Sequence, residues 1–249
     1  MTVMRAETHV HSELSYDESW TLAGLAQLFR RLGTEAFFMT EHDIGFDRTC
    51  YDDCSAACAG ALVHGTMLVV GIGYFCPKYH VHILTWRLGL FPAEHRTISE
   101  TLEAVRAEGG MAVFGHPTRR NVSRNFDPSW LPLLDGIGFW NRQTDRILPL
   151  ASARDLKPRR ARSHFGVDFN CLKRHYSLDM LIPDGAPGAS PEQLLATTMA
   201  ARPPVCARGF VGALTVTDGT LQDEAHRQNR RAKTLRCGLR RLKLRFWPD

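Results

Sequence analysis

The sequence predicts an α/β fold with a largely parallel sheet, closed into a barrel. Three observations point there. Short apolar strands alternate with amphipathic helical stretches through the first two thirds of the chain, which is the pattern of repeated strand–helix–strand units. Ionisable residues stand at the ends of several of these strands, and strand ends converge on one mouth in a barrel, whereas an open sheet would spread them along an edge. The 249 residues are enough for one barrel-sized domain.

The elements follow in order. Thr8 to His11 reads as the first strand. Leu22, Leu25, Leu28, Phe29 and Leu32 recur at helical spacing, and Gly33 supplies the stop. Ala36 to Thr40 is a buried strand, Tyr51 to Val63 a helix, Met67 to Ile72 and Val81 to Trp86 two more strands. Thr97 and Glu100 form a capping-box signature that opens a helix to Glu108, ended by Gly109-Gly110. Strands are expected at Met111 to Gly115, Gly136 to Trp140 and His164 to Phe169. After Asp179 the pattern weakens: a loop over 184–191, a helix to Ala201, and a strand within Phe210 to Thr217. We read residues 1–220 as one barrel domain and 221–249 as a basic, helical C-terminal segment.

Composition narrows the class. Hydrophobic residues make up 44% and charged residues 23%, which excludes collagen-like, low-complexity and mostly disordered chains. No apolar run approaches the ~18 residues of a membrane span. The opening MTVMRAETHVHSE lacks the apolar core of a signal peptide, so a cytoplasmic location is expected. The net charge of +5 is uneven: Gln222 to Asp249 holds nine Lys/Arg against three acids, and the remainder is close to neutral. The basic tail reads first as an amphipathic helix docked on the barrel through Leu235, Leu239, Leu242 and Phe246. Contact with an acidic membrane surface or nucleic acid is the sharper alternative. The seven cysteines are odd in number and form no CxxC pair, which fits reduced thiols. Cys50, Cys54 and Cys58 share one helical face and read as a core stripe.

Histidine placement carries the chemistry. His9 and His11 fall on one face of a strand by the period of two. Glu41-His42-Asp43 follows a buried run, where ionisable groups are expensive unless paired or metal-bound. His80 and His82 make a second HxH, His116 caps an apolar strand, and Asp168 and Asn170 alternate after another. Singly each is ordinary surface polarity. Five at corresponding strand ends point to a multinuclear metal site. Imidazole with carboxylate suits Zn, Mn or Fe and disfavours Ca or Mg. Such ions lower the pKa of a bound water and hold an in-line displacement. Arg119 and Arg120, after His116-Pro117, are candidates to clamp a phosphate; solvated surface charge is the plainer alternative.

These motifs together resemble the PHP (polymerase and histidinol phosphatase) domain family of metal-dependent phosphoesterases. The matching stretches are Thr8-His9-Val10-His11, Thr40-Glu41-His42-Asp43, Val69-Val70-Gly71-Ile72, His80-Val81-His82-Ile83-Leu84, Phe114-Gly115-His116-Pro117 and Val167-Asp168-Phe169-Asn170, with Asp135 to Asn141 before the last. The resemblance covers about residues 5–180 and implies a distorted (β/α)7 TIM-like barrel with up to three metal ions at its mouth. It assigns His9, His11, Asp17, His42, His82, His116 and Asp168 as metal ligands. His42 and Asp43 are the implied catalytic pair, with Asp43 orienting a ligand or moving a proton.

Two departures stand out. The family's third motif carries a glutamate that bridges two metals, and here the position is Gly73. The final motif carries a histidine, and here it is Asn170. Loss of a bridging carboxylate leaves the repulsion between two cations without its offset, so fewer than three ions are expected. Tyr74, His80 and Glu41 are candidate rescue ligands. The leading expectation is a metal-dependent hydrolase of phosphoesters acting on a small phosphorylated substrate or an oligonucleotide. The alternative is a PHP-like pseudoenzyme retained as a binding or scaffold protein. Hydrolysis of a carbon–nitrogen bond on a similar metallo-barrel is a third.

Overall fold

A computed structural model describes residues 3–16, 18–59, 65–87, 96–115, 122, 124–141, 162–166, 178–183, 189–200, 205–207 and 214–216. The basic tail, and with it the expected terminal helix, lies outside the described residues. The elements run β1 (Val3–Val10), α1 (Leu22–Arg31), β2 (Ala36–Met39), β3 (Glu41–His42), α2 (Arg48–Ala59), β4 (Met67–Val69), β5 (Gly71–Cys76), β6 (Val81–Trp86), α3 (Ile98–Ala107), β7 (Met111–Gly115), a 3-10 turn (Pro128–Leu133), β8 (Gly136–Asn141), β9 (Arg162–Gly166), β10 (Leu178–Pro183), α4 (Pro191–Ala200), β11 (Val205–Ala207) and β12 (Leu214–Val216).

Local chemistry explains the helix ends. Thr21 caps α1 through the Gly24 N–H at 3.0 Å. In α3 the capping box forms as expected: the Thr97 hydroxyl accepts from the Glu100 N–H, and the Glu100 carboxylate accepts from the Thr97 N–H at 2.8 Å. Both helices stop in a Schellman motif at a left-handed glycine, Gly33 (φ 78°) and Gly109 (φ 67°).

The strands form two six-stranded sheets, ordered β12-β11-β10-β1-β2-β4 and β3-β5-β6-β7-β8-β9. The chain passes from the first to the second sheet twice, across Thr40 between β2 and β3 and across Val70 between β4 and β5. Pairs β1/β2, β2/β4, β3/β5, β7/β8 and β8/β9 are parallel, but β6 is antiparallel to both β5 and β7. This departs from the expected largely parallel sheet. Among the described residues hydrogen bonding gives a mixed α/β architecture with two sheets and no closed TIM-like ring. The reason is local. No helix crosses over between β5 and β6; a tight turn over Pro77 to His80 joins them, and a short link forces a hairpin. Beyond β1, the strands β10, β11 and β12 add an antiparallel meander.

Two apolar layers hold these sheets. One draws Met4, Ala6, Ala36, Phe38, Met67 and Val69 from the first sheet and Leu84, Trp86, Met111 and Val113 from the second, so the sheets face each other across it. The other packs α1, α2 and α3 on the outer faces through Leu25, Phe29, Tyr51, Cys54, Cys58, Leu102 and Val105. The cysteine stripe is thus core, with Cys54 and Cys58 buried and Cys50 half-buried. All six residues of β6 are buried, Val81 and Ile83 toward the helices and Leu84 and Trp86 toward the opposite sheet. The Trp86 indole N–H donates to the Met39 carbonyl at 2.7 Å and ties the sheets together. Gly71 makes this crossing: a Cβ there would lie 2.3 Å from Trp86 Cδ1, 2.4 Å from the Thr85 carbonyl and 2.5 Å from that of Met39.

Candidate functional site

The site forms where β1 and β3 end and β6 begins. Strand β1 does not run evenly to its end. His9 has φ 67°, and the pairing of β1 with β2 shifts register between Thr8 and Val10. A histidine held in the left-handed region costs on the order of 1–3 kcal/mol, and such strain gathers at functional positions. The simple alternation expected for His9 and His11 is therefore replaced by a bulge that re-aims one ring. The two rings still lie 5.1 Å apart between centroids, tilted by 59°, and both are buried.

The loop after β1 is fastened to β3 by one carboxylate. Glu41 is fully buried and accepts from the Ser12 N–H at 3.1 Å, the Ser12 hydroxyl at 2.6 Å and the Ser15 hydroxyl. The Ser15 oxygen in turn accepts from the His42 N–H at 3.0 Å. Glu41 is thus engaged by the serines. His42 stacks on His11 at 4.4 Å and 20°, and its ring lies 6.1 Å from that of His82.

His82, the second residue of β6, lies on the face that continues into Leu84 and Trp86, so it caps the inter-sheet core. It is 8% exposed and packs on Phe75 at 4.9 Å. His80 behaves differently. It lies outside β6, exposed in the turn with φ 53°, so the second HxH is not a strand pair, and the rescue-ligand reading of His80 gains nothing from strand alternation. Four imidazoles from three distant segments, His9, His11, His42 and His82, therefore form one continuous chain of ring contacts.

The remaining expected site residues divide cleanly. Asp17, His116, Arg119, Arg120, Asp168 and Asn170 lie outside the described residues. The backbone fixes two neighbours of that set: Gly115, just before His116, pairs with His82, and Gly166, two residues before Asp168, ends β9. Gly73 pairs with His42 across β3 and β5 and with Leu84 across β5 and β6. A Cβ there would meet the Thr40 carbonyl at 3.3 Å and Leu84 Cδ2 at 3.7 Å. The position thus adjoins His42 with no side chain.

Asp43 is buried, and its Oδ1 accepts from the Phe75 N–H at 3.2 Å, pinning the end of β3 to β5. Beside it, burial and then the Asp43 charge hold the Tyr74 phenol well above the ordinary tyrosine range. Tyr74 packs in the helix-side layer with Tyr51 and Cys54, and its hydroxyl finds no hydrogen-bond partner among the described residues. Sequence reasoning missed the Ser12/Ser15/Glu41 lock and the aromatic neighbours Tyr16, at 5.2 Å from His42, and Phe75. The serines spaced three apart directly after the first histidine pair were the available signal.

The donor chemistry fits a divalent transition metal, because imidazole nitrogens clustered at low exposure are its usual ligands. Among the described residues, however, no group of three or more His, Cys, Asp or Glu is by itself arranged to hold an ion. A full cage needs donors from the segments after β7 and β9. A separate cavity of about 300 Å³, lined by Tyr51, Cys58, Leu68, Val70, Arg87 and Leu195 among others, shares no residue with the imidazoles.

No protein-family model and no curated protein matches the sequence. Among solved structures, the fold is similar to PsfC from Pseudomonas syringae, with 12% identity and a TM-score of 0.58 over 94% of this chain and 100% of that one. It is also similar to a two-domain protein from Bacteroides vulgatus described as containing a predicted PHP-like metal-dependent phosphoesterase. There the identity is 16% and the TM-score 0.63, over 84% of this chain and 67% of that one. At these identities the likeness is one of fold, and it places the imidazole cluster on an architecture shared with a PHP-like protein.

Proposed function

We propose that the chain is a metal-dependent hydrolase of phosphoesters, built as a distorted PHP-type barrel whose two halves are the two sheets. The observation that carries the reading is the ring chain His9–His11–His42–His82 at one end of the inter-sheet core. The fold shared with a PHP-like protein supports it. His9, His11, His42 and His82 would hold metal together with Asp17, His116 and Asp168, and the ions would be Zn, Mn or Fe, fewer than three. When bound, such ions supply an activated water and offset charge on phosphorus-bound oxygens. The protein's own part is positional. Glu41 and the two serines fix the first loop against His42, the bulge aims His9, and Asp43 holds β3 on β5. Arg119 and Arg120 would clamp the phosphate. The substrate is a small phosphorylated compound or an oligonucleotide. We place the chain in the cytoplasm, with its basic tail docked on the domain or facing an acidic surface. No described helix is long and apolar enough to cross a membrane.

The test is metal content by elemental analysis together with turnover of an aryl phosphate. We expect bound Zn, Mn or Fe, activity abolished by chelator and restored by Mn or Zn, and loss of both metal and activity in His42→Ala. Absence of metal-restored turnover on any phosphoester removes the catalytic reading. Gly73 favours a second one: with no carboxylate at the β5 position that pairs with His42, a scaffold that has lost its metal chemistry is the alternative, and purified protein free of metal after growth with Mn and Zn would select it.

A further inference from the structure

A cleft of about 300 Å³ opens at β4, the last strand of the first sheet. Leu68 and Val69 both line it. Consecutive residues of a strand point to opposite faces, so a cleft that touches both runs along the strand's edge. The two apolar layers meet there: Leu68 belongs to the helix-side layer, Val69 and Leu195 to the layer between the sheets. Helix α2 walls the cleft through Tyr51 and Cys58, and α4 through Leu195. Arg87, also in the lining, immediately follows β6 and so lies roughly 17 Å along an extended strand from His82.

The rim of this apolar cleft carries two opposite charges. Arg87 and Glu192 line it, and both are exposed. Among the described residues no ion pair joins them or takes up Arg87. They are still within electrostatic reach of each other. The Glu192 carboxyl is held below its ordinary value first by the Ser190 hydroxyl, which donates to it at 2.6 Å, and further by the Arg87 charge. The backbone under each is specific. Ser190 and Gln193 cap α4 reciprocally: the Ser190 N–H donates to Gln193 Oε1 at 2.8 Å, and the Gln193 N–H donates to the Ser190 hydroxyl at 3.3 Å. Arg87 has φ 59°, in the left-handed region, and backbone strain of this kind gathers at ligand clamps.

We propose that this cleft binds a free α-amino acid with an apolar side chain, its carboxylate on Arg87, its ammonium on Glu192 and its side chain against Leu68, Val69 and Leu195. Unlike charges set too far apart for a direct pair are what a zwitterion can bridge. An acid would bring its carboxylate near that of Glu192, and an amine its ammonium near Arg87; the zwitterion meets each with the opposite sign. The volume stands at the lower end of the roughly 300–1,000 Å³ of ligand pockets, so the occupant is small. The apolar walls select a side chain such as that of leucine over that of alanine. The site stands apart from the imidazoles and does not depend on the phosphoesterase reading.

The experiment is calorimetric titration of the full chain with L-leucine, L-alanine, 4-methylpentanoate and 3-methylbutylamine, each with and without chelator. We expect leucine to bind about tenfold tighter than alanine or more, since alanine lacks most of the apolar body. The two analogues, each missing one charge, should bind about three- to fivefold weaker than leucine. Arg87→Gln should bring leucine down to the level of 3-methylbutylamine, and Glu192→Gln to that of 4-methylpentanoate. Both side chains are exposed, and circular dichroism checks that the variants fold. Ser55→Phe, which sets a ring in the cleft from α2, should abolish leucine binding. No leucine binding at millimolar concentration, alanine or either analogue as tight as leucine, or ratios unchanged in Arg87→Gln and Glu192→Gln overturns the proposal. So does leucine binding that chelator removes, because an amino acid also chelates metal, and the imidazoles would then be its site.

Discussion

Replacing Glu41 with alanine is the perturbation with the clearest consequence, because among the described residues its carboxylate is the only acceptor for a backbone donor that cannot turn away. The Ser12 N–H points at both carboxylate oxygens, at 3.1 and 3.2 Å, inside the core. Stranding a buried donor of this kind costs about 1–3 kcal/mol. The Ser12 and Ser15 hydroxyls also lose their acceptor. They can rotate, so each forfeits only about 1 kcal/mol of net hydrogen bonding. Removing a buried charge returns part of its desolvation cost, which sets the expected loss at about 3 kcal/mol. In urea, with an m-value of about 3 kcal/mol/M, the unfolding midpoint should fall by about 1 M at unchanged slope. Glu41→Gln retains one carbonyl oxygen and should lose about half as much. Hydrogen exchange at the Ser12, Leu14 and Ser15 amides should quicken in the alanine variant, since all three lie in the fastened loop. A loss under about 1 kcal/mol with exchange unchanged would mean that the loop holds itself and that Glu41 is idle.

The other expectations are briefer. Tyr74→Phe removes a buried hydroxyl that has no partner among the described residues, so thermal unfolding should show it neutral or stabilised by about 1 kcal/mol; a clear loss would reveal a bond to the phenol. The Cys54 thiol is pushed up by its hydrogen bond to Cys58 and by burial, and the Tyr74 phenol by burial and Asp43. In the folded state both keep protons that the unfolded chain releases above about pH 8.5 and 10. Stability is therefore fullest below that range and falls as pH rises through it. Melting temperatures from pH 8 to 11 should decline, less steeply above 10 in Tyr74→Phe, and a rise would contradict both shifts. Gly71→Ala should cost more than about 3 kcal/mol, because two of the atoms it meets are fixed carbonyls, while Gly73→Ala should stay within about 1 kcal/mol; denaturant midpoints decide. Asp179→Ala leaves Arg5 without its carboxylate and Thr34 without its acceptor at 2.8 Å, so a loss of about 3–5 kcal/mol is expected, and a loss under 1 would show that β10 docks without the pair.

The sequence was most readable where both faces of a strand are buried. The bounds of β6 and β7 coincide with the expected Val81 to Trp86 and Met111 to Gly115. β10 escaped because Asp179 interrupts its apolar run. That carboxylate is buried only because Arg5 and Thr34, far away in the chain, receive it. β11 is three residues, too short for a period to show, whereas β12 lies within the strand expected over Phe210 to Thr217. At the site, residue type was readable and direction was not. Imidazoles stand out in any strand, but whether a carboxylate faces them depends on the backbone beyond it. Glu41 turns to serines, Asp43 to the next strand, and the even alternation assumed for His9 fails at one left-handed residue.

The one wrong assumption about topology proves to be what assembles the site. Had β5 and β6 been joined by a crossover helix, β6 would run parallel to β5, and His82, at its second residue, would lie at the end of the sheet away from His42. The hairpin reverses the strand. The start of β6 then meets the far ends of β5 and β7: Phe75, next to last in β5, pairs with His82, and His82 pairs with Gly115, the last residue of β7. A histidine near the start of one strand thereby reaches the same edge as histidines near the ends of two others. The turn over Pro77 to His80 is accordingly as much a determinant of the imidazole cluster as the histidines, although it contributes no ring to the chain.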